Sequence, residues 1–166
     1  MALSKLEELI AVYSKVAAVI EVRGLKDRYG VYGTFKTRHG KPYLIIEKDQ
    51  PETDKQVILT EEFMHFLHSV GVILDKDNLM QRKQELQARH LTYKAIISMD
   101  DLLRCYEMGL QSPYEIANEL DLPEDFLKNA IEYFKTQLGE YSQYKGYDVV
   151  ISDTINFYKS GSAKTM

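Results

Sequence analysis

The chain opens with apolar positions spaced three and four apart. After Ser4, a residue able to cap a helix, Leu6, Leu9, Ile10, Tyr13, Val16, Ala17 and Ile20 fall on one stripe, and the spacing predicts an amphipathic helix over residues 4–20. From Glu21 to Glu47 the period changes: four glycines, a β-branched and aromatic bias and a turn at Arg38-His39-Gly40-Lys41-Pro42 predict short strands, the last of them Tyr43–Glu47. Residues 48–55 form a polar, proline-containing loop. Helical spacing returns over 55–70, bounded by Gly71, and over 79–97 after the polar break Asp75-Lys76-Asp77-Asn78. A short helix follows over 99–109, ending at Gly109. Residues 112–139 read as two helices separated by Asp121-Leu122-Pro123, with Gly139 as terminator. The stretch 147–158 is strand-like, and 160–166 reads as a frayed end. The pattern is that of an α+β, helix-rich fold with a small N-terminal sheet.

Composition adds limits. At 166 residues the chain has length for one domain or one with an appendage, and its single cysteine, Cys105, excludes an internal disulfide and a thiolate zinc cluster. Any metal site must draw on carboxylates and the four histidines, His39, His65, His68 and His90. Charge is uneven. Residues 1–50 carry nine Lys/Arg against six Asp/Glu, 51–98 six against seven, and 99–166 six against twelve. No run of 18 apolar residues occurs, and the first residues lack the charged-then-apolar order of a signal peptide, so a soluble cytoplasmic protein without membrane partners is expected.

The helix expected at 55–70 carries the candidate chemistry. Placed at helical pitch, Glu61, His65 and His68 share one narrow polar face, while Leu59, Phe63, Phe66 and Val70 gather opposite. Glu61 and His65 are one turn apart, a relation that lets two side chains grip one ion. A zinc-protease helix reads H-E-x-x-H, its flanking residues ligating and its middle Glu accepting a proton from water; here the string is Glu61-Glu62-Phe63-Met64-His65. A straight helix cannot wrap an ion, so a third ligand must come from elsewhere. On the following helix Glu85 heads a stripe of small residues, Ala88, Thr92 and Ala95, that allows close approach of a neighbour.

Glu61-Glu62-Phe63-Met64-His65, then Arg82-Lys83-Gln84-Glu85-Leu86-Gln87-Ala88-Arg89, then a helical pair beginning Tyr114-Glu115-Ile116-Ala117, together resemble the ImmA/IrrE family of metallo-endopeptidases, in its short phage and mobile-element form with a Glu-Glu-x-x-His motif. The resemblance spans roughly residues 15–158. It implies a zincin-like core over 1–98 that holds the motif helix and the third-ligand helix, a helix-turn-helix-like subdomain over 99–139 and a strand-like tail over 140–166. It makes Glu61, His65 and Glu85 the metal ligands, with Ala88 and Leu91 at the small and apolar positions of the third-ligand helix, and Glu62 the general base. The sequence departs from the family in Glu61 where histidine is usual, Met64 where glycine is usual, and Arg89 where a smaller polar residue is common. Zn2+ is the implied ion, and the second carboxylate also suits Mn2+ or Fe2+. Ligation requires a neutral imidazole, so affinity falls at acid pH. His68, His90 and Tyr93 are candidate contacts to substrate or transition state.

The function implied is hydrolysis of a phage or mobile-element repressor, a helix-turn-helix protein, which relieves repression. One alternative is a non-catalytic protein of the same fold that binds a repressor or another partner. A further alternative is a helix-turn-helix DNA-binding regulator, because Ser112, Ile116, Ala117, Leu120, Phe126, Leu127 and Ile131 have that rhythm. Charge opposes it: residues 112–135 hold Lys128 and Lys135 against six acids, and DNA affinity rests on neutralising phosphates. No DNA binding is expected.

Overall fold

The computed structural model describes residues 1–69 and 78–161. Val70, the stop expected at Gly71, the polar break through Asp77 and the chain end from residue 162 lie outside the described residues. The fold is mixed α+β, in two compact units, Met1–Ile96 and Ile97–Met166.

In the first unit, α1 (Lys5–Tyr13) starts in a capping box: Ser4 accepts from the Glu7 amide and Glu7 accepts from the Ser4 amide. The helix expected to reach residue 20 stops at Tyr13. The amides of Val16 and Ala17 both turn back to the Tyr13 carbonyl, and the chain leaves as β1 (Ala18–Val22). Val19, Ile20 and Val22 are β-branched, and their backbone is satisfied by parallel pairing with β3 (Lys41–Glu47), a long-range partner that local periodicity cannot reveal. Val16 and Ile20, assigned to the buried stripe, are exposed; Leu6, Tyr13 and Ala17 are buried.

A single helical turn, α2 (Leu25–Tyr29), interrupts the segment expected to be all strand. Gly24 and Gly30 flank it with left-handed φ of 77° and 72°. The buried Glu47 carboxylate accepts from the amides of Gly24, Lys26 and Asp49, tying α2 to the end of β3, and these hydrogen bonds lower its pKa. β2 (Gly33–Arg38) returns antiparallel against β3 through the expected turn, where His39 and Gly40 have positive φ. The sheet order is β1-β3-β2, leaving β2 at an edge.

α3 (Glu52–Ser69) begins three residues before the expected Lys55, because the Pro51 carbonyl already accepts from Asp54 and Lys55. Leu6, Tyr13, Ala17, Leu44, Ile46 and Leu59 form the core between α1, the sheet and α3, with Phe63 and Phe66 packed against it. α4 (Asn78–Ile96) runs along α3. On its small-residue stripe Ala88 and Thr92 are buried but Ala95 is exposed; Tyr93 and Ile96 are buried on this helix as well.

The second unit joins the helices and the strands that sequence reading divided at residue 139. α5 (Met99–Glu107), α6 (Pro113–Glu119) and α7 (Glu124–Leu138) precede an antiparallel meander β4 (Tyr141–Tyr144), β5 (Tyr147–Ile151), β6 (Ile155–Lys159). Ser98 and Ser112 open α5 and α6 with capping boxes to Asp101 and Glu115. Cys105, Ile116, Leu127, Ile131 and Phe157 are buried. Among the described residues no helix is long and apolar enough to cross a membrane.

Candidate metal centre

The rotation of α3 is set by its apolar side. Phe63 stacks on Tyr13 with ring centroids 4.1 Å apart, and the Tyr13 hydroxyl donates to the buried Thr60 hydroxyl at 3.1 Å. With those residues turned inward, Glu61, Glu62 and His65 line a cleft of about 440 Å³ between β2 and α4. β2 contributes Gly33, Thr34 and Phe35 to its walls, with Tyr32 just before the strand, and α4 contributes Gln84, Ala88 and Arg89.

Each of the three side chains sits in a definite environment. The His65 imidazole lies nearly parallel to the Phe35 ring, 6.5 Å between centroids, and its Nε2 is 3.3 Å from a carboxylate oxygen of Glu85. Glu61 approaches the Arg89 guanidinium at 3.8 Å. Burial raises the Glu61 pKa, and the charges of Arg89 and His65 partly offset that. Glu62 is pushed up to about 7, first by burial and then by the negative charges of Glu61 and Glu85, while a hydrogen bond from the Phe35 backbone works the other way. Gly33 makes room for this side chain: a Cβ there would lie 2.9 Å from Glu62 Cγ and 2.4 Å from Ile58 Cγ2.

Glu61, His65 and Glu85 each offer a ligand atom, and these atoms all lie within 4.8 Å of one another. Two residues one turn apart on α3 are thus completed by one from α4. Two carboxylates and an imidazole form a donor set that fits a divalent cation of intermediate hardness. Arg89 works against such a cation, since it places a positive charge beside one of the donors.

The remaining candidates are more scattered. His68 lines the same cleft but stands outside the three-ligand cluster. His90 and Tyr93 are not among the cleft-lining residues; their rings lie 6.3 Å apart, and Tyr93 is buried, with its pKa raised by that burial. His39 is exposed at the β2–β3 turn. Gly33 and Phe35 were not singled out by sequence reading. Both act through the approach of β2 to α3, and neither belongs to a local motif.

No family model, no curated protein and no solved structure matches the chain.

Proposed function

We propose that the protein is a metal-dependent endopeptidase of the ImmA/IrrE type, built on a zincin-like core, with Zn2+ as the ion and a phage or mobile-element helix-turn-helix repressor as substrate. The observation that carries this reading is the convergence of Glu61, His65 and Glu85 within 4.8 Å, with Glu62 beside them in one cleft. When bound, a divalent cation supplies Lewis acidity, polarising a peptide carbonyl and making water easier to deprotonate. Glu61, His65 and Glu85 hold it. Glu62 accepts the proton of the attacking water and delivers it to the leaving amine, a double role that suits a carboxyl whose pKa stands near neutrality. Glu62 lines the cleft between β2 and α4, so a substrate chain lying in that cleft would pass beside its carboxyl. The acidic α6–α7 pair suits contact with a basic protein surface rather than nucleic acid.

A second reading, a non-catalytic partner-binding protein of the same fold, is favoured by the Arg89–Glu61 ion pair and the His65–Glu85 contact, which give the donor atoms protein partners without an ion. Elemental analysis together with incubation against a helix-turn-helix repressor encoded beside the gene separates the two. The peptidase reading expects stoichiometric metal, lost in Glu85→Gln and His65→Ala, and one cut in the repressor that Glu62→Gln abolishes while keeping the metal. Metal-free protein that binds the repressor without cleaving it would sink the peptidase reading.

A further inference from the structure

The metal cleft occupies one side of β2, and the opposite face of the sheet carries a second cavity. Its volume is also about 440 Å³, and it lies beside α2. Val22, Leu25, Val31 and Ile45 make its floor apolar, and Tyr29, 70% exposed, stands at its side. Every ionisable group of fixed charge that lines it is a cation: Arg23, Arg28 and Lys36. Arg23 pairs with Asp49 at 3.4 Å, with both side chains well exposed, so that pair is weak and easily exchanged. Lys36 lies 5.9 Å from the Tyr29 ring centroid, and among the described residues neither it nor Arg28 has an acidic partner within ion-pair distance. The segment 22–46 holds six Lys/Arg against the single acid Asp27, in a chain whose net charge is −4.

We propose that this cavity docks an acidic, apolar-bearing segment of a polypeptide partner. An aliphatic side chain of the segment covers the floor and removes Val22, Val31 and Ile45 from water. A neighbouring carboxylate meets Arg28 and Lys36, replacing water-screened positive charge with charge-assisted hydrogen bonds. Nucleic acid fits less well, because single strands are held by a track of cations along the backbone and successive stacking rings, whereas here the cations surround one aliphatic floor with one ring. The two cavities share Val31 and Thr34 as walls, so a polypeptide seated here lies next to the metal cleft. The inference does not depend on that cleft binding metal.

Fluorescence anisotropy tests it with three labelled probes: a short peptide alternating Glu with Leu, its Lys-for-Glu counterpart, and an oligothymidylate of similar length. The acidic peptide is expected to bind the full chain and to lose at least about tenfold in affinity in Arg28→Glu/Lys36→Glu, with Arg28→Gln/Lys36→Gln intermediate and Glu85→Gln unchanged. Circular dichroism on the same variants checks that they fold. Equal binding of acidic and basic peptides, equal affinity in the charge-reversed variant, preferential binding of the oligothymidylate, or no binding of the acidic peptide each overturns the proposal.

Discussion

The imidazole Nε2 of His65 and the carboxylate of Glu85 approach to 3.3 Å, closing a bridge between α3 and α4. The Glu85 side chain is 59% exposed, so in the metal-free protein solvent screens this contact and it contributes at most about 1 kcal/mol. A bound cation changes its weight, because ligand binding to the folded state alone stabilises by about 2.7 kcal/mol at a hundredfold excess over Kd. Glu85→Gln is therefore expected to leave the metal-free melting temperature almost unchanged and to abolish the rise that zinc produces in the parent protein. Arg89→Ala, which removes the cation beside Glu61, should increase zinc affinity; thermal denaturation with and without zinc measures the first effect and isothermal titration calorimetry the second.

Glu62 predicts a pH dependence with a defined sign. Its pKa rises from an ordinary 4.5 to about 7 on folding, chiefly through burial. Between those values the folded chain binds more protons at this group than the unfolded one, so the Glu62 contribution to stability is full below pH 4.5 and is lost as pH rises toward 7. The shift corresponds to on the order of 3 kcal/mol. Glu61, also raised by burial, adds to the same slope. Urea unfolding of the metal-free protein across that window should show the decline, and Glu62→Gln should flatten it. Zinc held there as proposed would add a positive charge beside both carboxylates and lower their folded pKa values, so it should shorten the decline from its upper end.

The candidate centre was more legible in the sequence than the fold around it. Glu61 and His65 share a helix face by spacing alone, and the small Ala88 and Thr92 signalled the approach of α4 that delivers Glu85. Capping boxes at Ser4 and Ser112, each closed by a glutamate three positions on, are local chemistry, and those helix starts were readable for that reason. β1 was not: its apolar spacing continues that of α1, and only pairing with β3, some 25 residues away, decides for strand. Likewise α2 depends on capping by Glu47 from a different element, and β4 depends on a turn at Lys145-Gly146 that allows it to pair with β5. Gly33 had no readable signal, since its role is set by Ile58 and Glu62 across the helix–sheet interface.

Gly33 is therefore a direct test of that interface. Its backbone is outside the positive-φ region, so alanine meets no backbone strain there, and the cost comes from crowding against Ile58 and Glu62. Gly33→Ala should destabilise by about 1–3 kcal/mol, the range for an overpacked site. Ile58→Ala removes the nearest clashing methyl, so the double variant should cost less than the two single changes together. Chemical denaturation of all four proteins gives the coupling. Zinc stoichiometry should survive in Gly33→Ala, because Glu61, His65 and Glu85 are untouched, whereas any cleavage activity should fall with the displaced Glu62 carboxyl.

The Tyr13–Thr60 hydrogen bond fixes the rotation of α3 one residue before the first candidate ligand. Both residues are buried, Thr60 completely, so removing either hydroxyl strands its partner away from water. Tyr13→Phe and Thr60→Val should each cost about 1–3 kcal/mol. The double variant replaces both partners with groups of similar shape and leaves no stranded hydroxyl, so it should lose less than the sum, with a coupling of about 1 kcal/mol. Ring stacking between Tyr13 and Phe63 persists in Tyr13→Phe, which keeps α3 docked while loosening its rotation. Zinc affinity should consequently fall in Tyr13→Phe even though no ligand is changed, and it should recover in part in Tyr13→Phe/Thr60→Val. Equal zinc affinity across the four proteins would show that the packing of Phe63 alone sets the angle at which Glu61 and His65 face α4.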